Sequence, residues 1–196
     1  MPASSRLIPA NEYRRERWKN GLGWTREIMR EPDSDAWDWR LSIAEIERDA
    51  AFSSFPGIDR ELVLLHGNGL RLKFDDGREI DLMPPHDRLR FAGEDVVMGE
   101  LVDGTTHDFN LMWRRERVRT ELLHRPLVGP MLFFTEPGVH WVVHLIAGQA
   151  TFDAASGLGQ LWSGDTAMLV PGEGRTRYAL QGGGELLAIR IEDGTS

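Results

Sequence analysis

The sequence predicts an all-β fold opened by one short helix. Three observations carry that reading. From Trp24 onward, apolar and polar residues alternate with period two. No stretch shows the 3.6-residue period of a long amphipathic helix, so βαβ units and a parallel sheet are not expected. The 21 Gly and 10 Pro are spread along the 196 residues, as many short strands joined by turns require.

The elements follow in order. Asn11 to Lys19 (NEYRRERWK) reads as the helix: Asn11 is a capping residue, Glu12 sits in the first turn, and Asn20-Gly21 supplies a left-handed stop. In Trp24–Met29, Thr25, Glu27 and Met29 share one face while Trp24, Arg26 and Ile28 share the other. In Trp37–Ile46, Trp39, Leu41 and Ile43 oppose Arg40, Ser42 and Ala44. Further strands are expected at Glu61–Leu65, Leu70–Phe74, Glu79–Leu82, Arg88–Phe91, Val96–Val102, Phe109–Trp113 and Val118–Leu123. The later half adds Leu132–Thr135, His140–Ile146, Gly159–Trp162, Ala167–Val170, Thr176–Leu180 and Glu185–Ile191.

A faint internal repeat runs through this pattern. LLHGNGLRL around Gly67 resembles LIAGQATF around Gly148, and LMPPHDRLRFAGE (Leu82–Glu94) resembles LWSGDTAMLVPGE (Leu161–Glu173). The order apolar strand, Gly turn, strand, Gly-Asp, apolar strand, Pro-Gly in the second copy resembles the jelly-roll barrel called a cupin, so two copies make a bicupin. The expected division is residues 1–120 for the N-terminal half and 121–196 for the C-terminal half.

Composition excludes several functions. The chain has no Cys, hence no disulfide, thiolate metal site or Cys nucleophile, which suits a reducing cytoplasm. No apolar h-region precedes the fold, so no secretory signal is expected, and no apolar run reaches the roughly 18–20 residues that cross a bilayer. A net charge of −8 argues against nucleic acid as a partner. An anionic ligand would need a local Arg cluster to overcome that field.

The sequence also lacks familiar catalytic devices. None of the six His forms a His-x-His pair, and His140 and His144 lie roughly 13 Å apart along an ideal strand. Neither a metal nor any other cofactor is expected. There is no Gly-x-Ser-x-Gly elbow, P-loop or dinucleotide fingerprint. The run Arg114–Arg119 (RRERVR) is broken by Glu116 and has no aromatic platform, so it reads as a solvated strand or linker.

What is present is a set of arginines inside apolar strand patterns. Arg26 shares a face with Trp24 and Ile28, Arg40 with Ser42 and Ala44, and Arg60 opens the strand Glu61–Leu65. Asp108 and Asn110 share a face with Met112. A guanidinium turned into a barrel cannot shed its charge and needs a planar acceptor. Glu27, Asp59 or Asp108 can serve as that acceptor, and so can the carboxylate of a ligand held bidentately. The small Ser42 and Ala44 beside Arg40 leave room for the second arrangement. Phe52–Arg60 (FSSFPGIDR), with a Pro-Gly turn, reads as a rim over such a pocket.

Four segments, WKNGLGWTREI (Trp18–Ile28), WRLSIAEI (Trp39–Ile46), FSSFPGIDRELVLLHGNG (Phe52–Gly69) and DFNLMWRR (Asp108–Arg115), closely resemble the HutD/Ves family. The resemblance implies a bicupin without the usual catalytic metal, acting as an accessory or regulatory factor of histidine utilisation. It implies ligands such as formylglutamate, formiminoglutamate or urocanate, all of them carboxylates. Carried over by motif, the positions implied are Lys19, Asn20, Thr25, Arg26, Arg40, Ser42, Ser53, Arg60 and Asn110. Leu22 departs from the family, which has Gly there. The Ves branch is associated with stress and cold instead of histidine.

Three functions are therefore weighed. The first is a binding protein whose Arg26, Arg40 and Arg60 grip a small carboxylate, with Ser42 and Asn110 as neutral partners. The second is a metal-independent enzyme on the same acids, for which Glu27, Asp108 and His107 are the only acid–base candidates. The third is a structural module that pairs as a homodimer, its arginines serving as internal salt links.

Overall fold

The computed structural model describes residues 4–194 and is almost wholly β, as expected. The chain divides into two compact units, one formed by Tyr13–Arg117 and the other by the residues up to Glu12 together with those from Val118 onward. The two-unit bicupin architecture is thus observed, but the opening strand joins the C-terminal unit and not the N-terminal half.

The expected helix is absent. Ala10–Glu12 forms one 3-10 turn, and Arg14–Arg17 is a strand, β2, with β1 (Arg6–Ile8) before it. β2 pairs antiparallel with β3 (Gly23–Glu31), Arg14 opposite Glu27 and Arg17 opposite Trp24. A helix of two or three turns is marginal without an apolar face to bury, and Arg14–Arg17 has none, so main-chain pairing with β3 wins. Asn20-Gly21 accordingly turns a hairpin. Gly21 N–H donates to Trp18 O at 2.9 Å and Trp18 N–H to Gly23 O at 3.0 Å. The Asn20 side-chain oxygen accepts from Leu22 N–H at 3.0 Å. Gly21 takes φ 72°, whereas Leu22 lies outside the left-handed region, so its side chain is accommodated without strain. Gly23 is required for another reason: a Cβ there would stand 2.5 Å from the Glu45 carbonyl oxygen.

The unit Tyr13–Arg117 continues through β4 (Trp39–Ile46), β5 (Ala50–Ala51), β6 (Ile58–His66), β7 (Leu70–Phe74), β8 (Glu79–Leu82), β9 (Arg88–Ala92), β10 (Val97–Leu101) and β11 (Thr106–Arg114). One six-stranded sheet has the order β2-β3-β4-β11-β6-β9, and a four-stranded sheet has the order β5-β10-β7-β8. Leu62, Leu64, Leu70, Leu72, Phe74 and Leu82 form a buried apolar core in this unit. That core is the main driving force for closing the two sheets on each other. The RRERVR run ends the unit as surface ion pairs. Arg115 reaches Asp59 at 2.9 Å and Glu94 at 2.5 Å, and Arg117 reaches Asp38 at 3.1 Å.

The other unit holds β1 with β12 (Val118–Thr135), β13 (Val139–Phe152), β14 (Gln160–Trp162), β15 (Thr166–Leu169) and β16 (Thr176–Asp193), in the order β1-β15-β13-β16-β12 with β14 on β13. Two segments each expected as a pair of strands, within 118–135 and within 176–193, are single strands of 18 residues. The Gly182-Gly183-Gly184 run does not break β16. Side chains at Gly182 and Gly184 would collide with the main chain of β13, so bare backbone is what lets the strand bend and stay paired. Phe133, Val143, Leu145, Leu161, Leu169 and Leu186 are buried in this unit's core.

Candidate functional site

A cavity of about 570 Å³ opens in the N-terminal unit. The register of the large sheet decides which side chains reach it. β4 pairs with β11 so that Arg40, Ser42 and Ala44 stand opposite Met112, Asn110 and Asp108. β6 pairs with β11 so that Arg60 and Leu62 stand opposite Met112 and Asn110. Cross-strand partners share a face, so these residues all point the same way. The tip of the β2–β3 hairpin and the loop after β5 complete the walls, bringing Trp18, Lys19, Asn20, Phe52, Ser53 and Phe55 to the same space.

All of the site residues expected from sequence line this cavity except Arg26. Arg26 stands opposite Ile43, on the other face of the sheet from Ser42 and Ala44. Its guanidinium lies over the Tyr13 ring at 5.3 Å and 3.8 Å from Glu45, a carboxylate that also binds Arg15 at 2.6 Å. Glu27, not Arg26, shares the face of Ser42 and meets Arg40.

The arginines that do reach the cavity differ from each other. Arg40 Nε donates to Glu27 Oε2 at 2.6 Å, and its two terminal nitrogens make no hydrogen bond to the described residues. Arg60 is 6% exposed and has no carboxylate partner among the described residues. Its Nε donates a long bond, 3.4 Å, to Asn110 Oδ1. Its guanidinium carbon sits 5.0 Å from the Phe52 ring centre and 5.1 Å from that of Phe91, and the two rings are only 6.5 Å apart. Both rings therefore flank the guanidinium, and Phe52 lines the cavity together with Arg60. Burial, with the neighbouring charge of Arg40, lowers the Arg60 pKa to about 10, so it remains a cation at neutral pH.

Around this cation the neutral groups are few. Asn110 spends its carbonyl oxygen on Arg60, which leaves its amide N–H groups as donors. Thr25 Oγ1 accepts from Trp18 Nε1 at 2.9 Å, fixing that indole as a wall. Ser42 is 2% exposed and lines the cavity with its hydroxyl. The inner end therefore offers donors and positive charge, and the fitting ligand group is a planar anion. Among the described residues of this unit, no three His, Asp or Glu side chains bring ligand atoms within 4.8 Å of one another.

Asp108 lies on the same strand face, two residues beyond Asn110, yet does not line the cavity. It is fully buried, accepts from Thr106 Oγ1 at 2.6 Å, and leaves Oδ1 without a partner. Desolvation pushes its carboxyl up to about 7. Glu16 and Arg17 line the cavity although the sequence did not point to them, and Phe91 and Glu27, outside the lining, reach its arginines. Phe91 carries no signal beyond an apolar strand position, and the alternation of β3 did place Glu27 opposite Arg26 but not which of the two faces the cavity.

A family model described as HutD matches residues 10–188. An uncharacterised 21.2 kDa protein in the hutC 3′ region of Pseudomonas putida is 42% identical over 118 residues, which are 59% of this chain and 62% of that protein's length. Protein Ves of Cronobacter sakazakii is 36% identical over 132 residues, 67% of this chain and 70% of that one. The solved structure of HutD from Pseudomonas fluorescens SBW25 aligns with a TM-score of 0.84 at 27% identity, over 98% of this chain and 100% of that one.

Proposed function

The chain belongs to the HutD family, and from that premise we propose that its N-terminal unit binds a small carboxylate and serves histidine utilisation as a non-catalytic accessory or regulatory factor. The link to histidine utilisation follows the family and the hutC neighbourhood of the Pseudomonas putida relative. One observation carries the ligand: Arg60 is a buried cation that lines an open cavity, with no acid among the described residues to neutralise it. An unpaired buried charge is costly, and an arriving carboxylate removes that cost through a bidentate pair in a low-dielectric setting. Arg40, Ser42 and the Asn110 amide supply further donors, and Lys19 stands exposed among the lining residues. Asp108 is the interior acid with a pKa suited to proton transfer, but it does not line the cavity, so binding is preferred over turnover.

The test is thermal denaturation with millimolar formylglutamate, formiminoglutamate and urocanate. A ligand at a hundred times its Kd adds about 2.7 kcal/mol to the folded state, or roughly 5–10 °C of Tm for a chain of this length. A rise with at least one acid, absent in Arg60→Met, is the expected result. No shift with any of the three sinks the proposal.

A further inference from the structure

The loop that follows β5 is held down at two positions that lack a side chain. Phe52 N–H donates to Val97 O at 2.9 Å, and the Phe52 ring then lies where a Cβ on Gly99 would come within 2.8 Å of it. Three residues on, Phe55 N–H donates to Gly93 O at 2.7 Å, and a Cβ on Gly93 would stand 2.5 Å from the Phe55 carbonyl oxygen. Between and beyond these anchors Ser53, Ser54, Pro56 and Gly57 are exposed. The loop is thus a short exposed strap with two inward rings: Phe55 packs against Trp37, Ile58 and Met112, and Phe52 is seated on Gly99.

That ring meets Arg60. Phe91 flanks the same guanidinium but belongs to β9 and is buried in the core, so it is part of the fixed frame. Phe52 is half-buried and comes from the strap. Resting on the carboxylate reading of the cavity, we propose that Phe52 governs access to Arg60: seated on Gly99, its ring excludes water from the guanidinium and leaves the cavity side as the approach for an acid. A guanidinium–carboxylate pair gains strength as water is excluded, and it loses sensitivity to salt for the same reason. Phe52 is a positioning residue here; it sets the surroundings of the cation and does not itself hold the ligand's charge.

Two measurements on the full chain test this, one of them without ligand. The first follows exchange of the Arg60 Nε proton with water by NMR. Phe52→Ala is expected to speed it about tenfold, and Gly99→Ala, which must push the ring aside, by a smaller factor. The Arg115 Nε proton, paired outside the cavity, should not change. The second titrates formylglutamate, formiminoglutamate and urocanate calorimetrically at low and high salt. The wild type is expected to hold its affinity across salt. Phe52→Ala is expected to bind about tenfold more weakly and to lose further affinity as salt rises, with Phe52→Leu restoring most of both. Unchanged Arg60 exchange in Phe52→Ala overturns the inference whether or not any acid binds. An unchanged affinity and salt response, where the wild type does bind, overturns it too. Binding of none of the acids by the wild type removes the carboxylate reading alone, and the exchange rates then decide the role of Phe52.

Discussion

Glu27 Oε2 accepts the Arg40 Nε hydrogen bond at 2.6 Å, while Oε1 of the same carboxylate lies 3.2 Å from Arg14 and 3.7 Å from Arg30. One acid therefore ties the edge strand β2 to β3 and β4, and it also occupies one corner of the arginine that fronts the cavity. Glu27→Gln is expected to lower stability by about 2 kcal/mol, since both partners are largely buried and the arginines lose a shared counter-charge. The same change should tighten binding of a carboxylate ligand, because Arg40 loses its internal competitor. Urea denaturation and ligand titration of the variant check the two signs separately.

Arg60→Met should separate a receptor from a scaffold. Methionine fills a similar length without charge. If Arg60 held the fold together, its loss would weaken the protein. With no acid partner among the described residues, the change is instead expected to leave stability unaltered or raise it by about 1–3 kcal/mol. Acid binding should vanish at the same time.

Asp108 gives a prediction with pH. Burial raises its folded pKa to about 7 from the ordinary 3.8. The folded state then binds the proton more tightly than the unfolded state, so this group's contribution is full below about pH 4 and is lost as pH rises towards 7. His107 works the opposite way, because burial lowers its pKa below 6.5 and its contribution grows as pH rises. The difference between wild type and Asp108→Asn isolates the aspartate. Between pH 5 and pH 7.5 the wild-type midpoint in urea should fall relative to that of the variant, whose neutral amide does not titrate.

Gly23→Ala is expected to destabilise by about 3 kcal/mol, because the added carbon would meet a fixed carbonyl of β4 and not a side chain able to yield. Since Gly23 begins the strand just past the Lys19–Asn20 turn, acid affinity should drop with it. Retained affinity at full stability would show that the hairpin tip is no wall of the site.

How much of this was legible in the sequence depends on whether the signal is local. β7 and β8 run from Leu70 to Phe74 and from Glu79 to Leu82, where the alternation and the Gly turn put them. The four exposed side chains of β2 carry no alternation, so Asn11 and the charged run suggested a helix. Only the partner strand, ten residues away in sequence, reveals the strand. In the segments 118–135 and 176–193 the Gly and Pro residues suggest two strands each, because they usually end a strand, whereas here they bend one that remains paired. In the site, the motif positions converge on one cavity because they lie on one face of adjacent strands. Arg26 is the exception, because alternation tells which residues share a face, but not which face looks inward. That choice is made by the register between β3 and β4, and by the bulge between Glu27 and Met29, neither of which one strand's sequence contains.

The placement of β1 bears on the order of synthesis. Just before it the Ser5 hydroxyl meets the Tyr178 hydroxyl at 2.7 Å across 173 positions of chain, and Arg6 of β1 pairs with Met168. On a ribosome, the Tyr13–Arg117 unit is contiguous and can be complete while most of the other is still being made. β1 precedes that unit in the chain and must wait for its partner until β15 arrives. A nascent chain stalled after β11 has cleared the ribosome but before β15 has should therefore own a finished pocket and an unpaired β1, and protease should trim β1 while sparing the pocket.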